Sequence, residues 1–156
     1  MLFTDGSVDS KTHIGCGAYL ICNDLDLPLD IQKANVKIKQ FENTSSTKLE
    51  LQTLLWALNE IVSLESPAIT TVVAYTDSQN IVTLPARRAK LEQQDYFSKN
   101  GKRLNNSELY QEFFRFMDRL NCRFIKVKGH KAKDKKDEID WIFALVDRAS
   151  RAALRT

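Results

Sequence analysis

The sequence predicts an α/β fold, a sandwich in which helices flank a mixed five-stranded sheet with three antiparallel strands followed by parallel additions. Three observations carry this prediction. Strand-like runs fill most of the first 43 residues, the hydrophobic period turns helical at Ser46, and a β-branched run follows that helix at 69–76. The order is βββαβα…αβα. No repeat, low-complexity tract or linker interrupts it, so 1–156 is expected to be a single domain.

LFTDGSV at 2–8 is a short apolar run that ends in turn residues. IGCGAYLICN (14–23) is the second strand, and NVKIKQFEN (35–43) alternates apolar and polar as the third. DLDLPLD between them reads as a loop, and the three strands are near enough in sequence to form an antiparallel meander. From Ser46 onward, Leu51, Leu54, Leu55, Leu58, Ile61 and Val62 recur at threes and fours, the stripe of a core-facing helix. Ser45, Ser46 and Thr47 are its candidate caps. Pro67 closes the connection, and ITTVVAYT (69–76) is too apolar for an exposed edge. A strand–helix–strand unit of this length favours parallel pairing of 69–76 with the early sheet.

Asp77-Ser-Gln-Asn starts a short helix. Residues 85–106 are charged and irregular, with turn signals at Gly101 and Asn105-Asn106. Helix 107–120 gathers Leu109, Phe113, Phe116, Met117 and Leu120 on one face. Strand 122–128, the basic loop GHKAKDKK and a final helix over about 137–155 complete the chain.

The composition, 43% hydrophobic and 28% charged over 156 residues, is that of an ordinary globular domain with one core. The net charge of +3 conceals an asymmetry: residues 1–84 carry five basic and ten acidic side chains, residues 85–156 carry 18 and ten. The excess sits in 85–103, with six basic and two acidic, and in 123–136, with seven and one. A basic half beside an acidic half suits phosphate binding by one and cation binding by the other. Cys16, Cys22 and Cys122 form no CxxC or Cys/His zinc spacing. Cys16 and Cys22 share the parity of Ala18 and Leu20 and read as small core residues, so free thiols in a reducing compartment are expected. With neither a signal-peptide pattern nor a long apolar span, the chain is expected to be cytoplasmic, and a monomer by default.

Four acidic residues stand out. Asp5 lies inside the first strand, where a half-buried charge must be paired or metal-bound. Asp77 ends the fourth strand; if that strand runs parallel beside the first, the two carboxylates repel unless they share a proton or a cation. Glu50 lies in the first turn of helix 46–63, beside its apolar stripe, where the helix terminus also favours a carboxylate. Asp147 lies on the last helix, flanking the stripe of Ile139, Ile142, Phe143, Val146, Ala149 and Ala153.

TDGS at 4–7, KLELQTLLWAL at 48–58, YTDSQ at 75–79, KGH at 128–130 and VDRASRAAL at 146–154 resemble, in this order, the motifs of the type 1 ribonuclease H family. The similarity runs from Met1 to about Arg155 and implies the ribonuclease H-like fold. It also implies an endonuclease that hydrolyses the RNA strand of RNA–DNA hybrids, leaving 5′-phosphate and 3′-hydroxyl ends. Asp5, Glu50, Asp77 and Asp147 match the family's metal-binding carboxylates, which hold two Mg²⁺ ions (Mn²⁺ a substitute) for in-line attack by water. His130 matches the loop histidine assigned to proton shuttling or product release.

The last carboxylate has two claimants. The family's usual count of about ten residues after the histidine falls on Asp140, whereas the local motif falls on Asp147. Two helical turns, about 10 Å, separate them, so both cannot serve one metal pair. We assign Asp147.

For the substrate, Ser46 and Thr47 stand where many members carry an Asn pair, and their hydroxyls can still bond a minor-groove edge or a 2′-OH. Gln79 is a base or sugar contact, and Gly6 and Ser7 would let backbone amides approach the RNA. Arg87, Arg88, Lys90, Lys102 and Arg103 lie where some members have a basic DNA-gripping protrusion, with Tyr96 and Phe97 packing beneath. Two alternatives share these features: a DNA-directed nuclease or resolvase of similar fold, and a catalytically inactive nucleic-acid-binding module.

Overall fold

The computed structural model describes residues 1–64, 71–128, 131, 132, 134 and 136–156. Five strands form one sheet: β1 (Leu2–Asp9), β2 (Ile14–Ile21), β3 (Lys37–Phe41), β4 (Thr71–Thr76) and β5 (Asn121–Lys126), in the order β3-β2-β1-β4-β5. β1 and β2 pair antiparallel, as do β2 and β3; β4 and β5 add in parallel on the other side of β1. The expected meander with parallel additions is therefore the observed sheet. Pro67 and the first two residues of the expected strand 69–76 lie outside the described residues.

Alternation along β1 sends successive side chains to opposite faces. Leu2 joins a core built with α2 (Ser46–Leu64) and α5 (Ser107–Arg119), where Leu51, Leu54, Leu58 and Phe113 are fully buried. Phe3 joins a second core under α6 (Glu138–Leu154), with Ala18, Leu20, Ile142, Phe143 and Val146. Asp5 has the parity of Phe3 and so faces α6. Gly6 has the parity of Leu2 and faces α2.

That glycine explains how closely α2 lies on the sheet. A Cβ at Gly6 would come within 2.8 Å of Leu49 Cδ2, and one at Gly17 within 2.1 Å of Thr53 Oγ1. The absent side chains let the first turns of α2 settle onto β1 and β2. Ser45 Oγ accepts from the Lys48 N–H at 3.4 Å and so caps the start of that helix.

Two segments differ from the sequence expectation. The stretch between β2 and β3 contains α1 (Leu29–Ala34), which buries Gln32 and leaves Leu29 and Ile31 exposed. Gln32 Nε2 donates to the Asp24 carbonyl at 2.8 Å and to Cys22 Sγ at 3.3 Å, so polar bonds seat this helix. The region after Asp77 is also more regular than expected: α3 (Gln79–Thr83), a 3-10 turn over Leu84–Arg87 and α4 (Arg88–Gln93) follow one another. Cys16 and Cys22 are buried, Cys122 is half-buried, and all three are free thiols.

Candidate active site

The parallel register of β1 and β4 is Leu2 with Ala74 and Phe3 with Tyr75. Two residues further along both strands stand Asp5 and Asp77, side by side at the end of the β4 ladder. Asp5 is only 8% exposed, while Asp77 opens to the surface. Burial pushes the Asp5 carboxyl up, the nearby Asp77 charge adds to this, and a side-chain hydrogen bond with Asp147 does the same; together they bring its pKa to about 8 despite the Gly6 N–H. In the metal-free protein Asp5 therefore keeps its proton well above the usual carboxylate range. Asp77 is raised by burial and by Asp147, with its own N–H and Lys126 opposing.

Asp147 reaches this pair because the register of α6 is fixed at two places. At the helix start, the Asp140 N–H donates to Asp137 Oδ1 at 2.9 Å and the Asp137 N–H donates to Asp140 Oδ2 at 3.1 Å, a reciprocal capping box. Three turns later Ser150 Oγ shares a 3.1 Å hydrogen bond with Ser7 Oγ of β1 and bonds the Asp147 carbonyl at 3.0 Å. Between these points Ile142, Phe143 and Val146 pack on the sheet.

Asp140 has other partners. Lys131 Nζ lies 2.9 Å from its Oδ2. Burial pushes the Asp140 carboxyl up, but Lys131 and the Asp137 contacts outweigh it and hold the pKa below the usual carboxylate value. The structure thus brings Asp147, and not Asp140, against Asp5.

Glu50 approaches from α2. Burial raises its pKa, a side-chain hydrogen bond from Ser78 lowers it, and Asp77 raises it again. Ser78 is buried, and its Oγ also accepts from the Ile81 N–H at 3.2 Å, capping α3. One serine therefore ties Glu50 to the turn that carries Asp77 and Gln79.

Three residues that sequence reasoning missed complete the site. Ser78 is one. Lys126 Nζ donates to Gln79 Oε1 at 2.8 Å, which leaves the Gln79 amide N–H groups to point elsewhere. Arg151 donates to both carboxylate oxygens of Asp147, Nε to Oδ1 at 3.0 Å. Arg151 stands four residues after Asp147 on a helix, a spacing at which an ion pair could have been anticipated. Lys126 had no such signal, because only the β4–β5 register places it beside Thr76 and the turn after it.

The remaining expected residues are scattered. Ser46 and Thr47 are exposed at the start of α2. Gly6 serves the packing against Leu49, and Ser7 bonds Ser150. Arg87 donates to the Asn80 carbonyl at 3.2 Å and lies over the Tyr110 ring. Arg88 forks onto Asp118 at 2.7 and 3.0 Å, bonds Glu92 at 2.8 Å and lies over Phe114. Arg103 donates to Ser107 Oγ at 2.9 Å, while Lys102 is exposed. These arginines hold α4 and the following loop onto α5. His130 lies outside the described residues.

Hard oxygen donors crowded at one sheet end, with Lys126 and Arg151 close by as cations, suit a divalent cation of the Mg²⁺ type. Among the described residues, however, no three acidic, histidine or cysteine side chains already converge as a cation cage. The donor chemistry fits; the Asp5–Asp147 hydrogen bond and the Arg151 fork are what a cation must replace.

An antiparallel meander extended by two parallel strands, with a carboxylate cluster where β4 ends beside the middle of β1, defines a ribonuclease H-like domain. The sequence model of the RNase H family matches residues 1–145, and the chain belongs to that family. A ribonuclease H of Caldicellulosiruptor saccharolyticus is 32% identical over 91 residues, 57% of this chain; the match spans only 59% of that relative's length. The same fold recurs in the solution structure of the PFV RNase H domain, with a TM-score of 0.71 at 15% identity, covering 97% of this chain and 91% of that one. It recurs too in a foamy viral protease-reverse transcriptase in complex with dsDNA, with a TM-score of 0.64 at 10% identity over 97% and 93% of the two chains. The family match ends two residues before Asp147, so the place of that residue rests on the geometry of α6.

Proposed function

We propose that this protein is a metal-dependent ribonuclease H that hydrolyses the RNA strand of RNA–DNA hybrids. Family membership sets the reaction class, and the observation that carries the assignment to this site is the buried Asp5 wedged between Asp77 and Asp147. Asp5, Asp77 and Asp147, with Glu50 beside them, would hold two Mg²⁺ ions. When bound, such a pair supplies the positive charge needed by an attacking water and a departing 3′ oxygen, leaving a 5′-phosphate.

The chain's own residues prepare that chemistry. Asp5 would have to give up its proton to hold a cation, so loading would be favoured by higher pH. Arg151 would have to yield at least one oxygen of Asp147. Ser78 keeps Glu50 oriented, and Lys126 holds the Gln79 carbonyl oxygen so that its amide donors face a base edge or a 2′-OH. Ser46 and Thr47 offer hydroxyls to the same groove, and His130 is assigned the proton shuttle by family resemblance.

The test uses one-strand-labelled RNA–DNA hybrid, duplex RNA and duplex DNA, each incubated with Mg²⁺, Mn²⁺ or EDTA. RNA cleavage in the hybrid alone, abolished by EDTA, is the expected result. Cleavage of duplex DNA would instead assign a DNA-directed nuclease, and binding without cleavage under either metal an inactive module.

A further inference from the structure

A cavity of about 330 Å³ opens beside the carboxylate cluster, between α6 and the chain that follows β5. Asp77, Asp140 and Asp147 line part of it, but basic side chains outnumber them two to one: Lys128, Lys131 and Lys136 from one side, and Arg148, Arg151 and Arg155 from α6 and its C-terminal end. The three arginines are spaced at i, i+3 and i+7, so they share one helix face. Like charges at that spacing destabilise a helix, which makes their clustering costly unless something negative lies against them.

Among the described residues, internal partners account for only half of the six. Lys131 is bonded to Asp140, Arg151 to Asp147, and Lys136 lies over the Trp141 ring at 5.1 Å. Lys128, Arg148 and Arg155 add three positive charges to the same cavity, and its one other carboxylate is Asp77. Planar guanidinium forks match phosphate oxygens in pairs.

We propose that this cavity is a second phosphate site, which takes a backbone phosphate of the same nucleic-acid strand whose neighbouring phosphodiester lies against Asp5, Asp77 and Asp147. The assignment rests on the nucleic-acid reading above. Its consequence is that the strand is gripped beyond the bond to be cut, and that Arg148 and Arg155 contribute binding and not chemistry.

The experiment measures affinity for a fluorescent RNA–DNA hybrid in EDTA, which leaves a substrate of a metal-dependent nuclease intact, across a range of salt. Counterion release predicts that log K falls with log salt by about 0.7 to 0.9 for each phosphate contact. The double variant Arg148→Ala/Arg155→Ala is expected to lose about that much slope and to bind several-fold more weakly at low salt. Arg148→Lys/Arg155→Lys is expected to keep the slope, which separates charge from folding, and a melting curve for each variant checks the fold. Inorganic phosphate is titrated in parallel. If the double alanine variant keeps the parent's slope, the assignment is overturned; if it also loses phosphate binding, the cavity holds a free anion instead. A parent that cleaves no hybrid yet shows the slope loss keeps the cavity assignment and overturns the activity. A parent that cleaves hybrid, with no slope loss in the variant, does the reverse.

Discussion

Asp140 and Asp147 are the same residue on the same helix, two turns apart and flanking one apolar stripe, and the fold gives them opposite tasks. Asp140 is buried, closes the capping box and neutralises Lys131, and its carboxyl is held below its ordinary pKa. Asp147 leans toward Asp5, helps to push that carboxyl up to about 8, and is answered by Arg151. Composition does not distinguish the two. What does is the register of α6 on β1, fixed at one end by Asp137 and at the other by the Ser7–Ser150 hydrogen bond.

The most direct way to break this contrast is to exchange each carboxylate for its amide. Asp147→Asn is expected to lower Mg²⁺-dependent cleavage of hybrid by two orders of magnitude or more, about 3 kcal/mol of transition-state stabilisation, with the fold kept. Asp140→Asn is expected to keep most of the activity and to lower the melting temperature by several degrees, because an amide weakens both the cap and the Lys131 pair. Steady-state cleavage rates and thermal melts of the two proteins decide it. Loss of cleavage in the Asp140 variant alone would move the site two turns along the helix.

Asp5 was the most legible residue of the site, because a charge within a strand requires a partner whatever the rest of the fold does. Asp77 followed once the β1–β4 pairing was inferred from the strand–helix–strand length. Asp147 was ambiguous because two rules, a count and a motif, gave different turns of one helix, and the hydrogen bond that decides the register joins residues 143 apart in sequence. The arginines of 87–103 carry an ambiguity of another kind. A guanidinium that packs on Tyr110 or Phe114 and one that reaches for phosphate look alike in sequence. The helix α1 was illegible because it buries its glutamine and exposes its leucine and isoleucine, against any hydrophobic pattern.

Opposite pKa shifts make the comparison readable in solution. Asp5 binds its proton more tightly folded than unfolded, so its contribution to stability is complete below about pH 4 and is lost as pH rises toward about 8. Asp140 has the reverse sign: its contribution is present above its unfolded pKa and is lost as pH falls below that. The metal-free protein is therefore expected to melt at a temperature lower at pH 8.5 than at pH 5.5 by about 4 °C or more, roughly 1 kcal/mol or above. Mg²⁺ should recover most of the difference, and Asp5→Asn should flatten the alkaline limb without touching the acid one. A flat alkaline limb in the parent protein, by calorimetry in EDTA, would show that Asp5 keeps an ordinary pKa.

Arg151 offers a smaller and more selective test, because it acts on one member of the contrast only. Its guanidinium occupies both oxygens of Asp147, so an incoming cation competes with it. Arg151→Gln removes the competing charge and is expected to lower the Mg²⁺ concentration for half-maximal loading a few-fold, by calorimetric titration without substrate. The same variant leaves the Asp140–Lys131 pair untouched, so the acid limb of stability should not move. Weaker Mg²⁺ binding would mean that Arg151 orients Asp147 for the cation more than it competes for it.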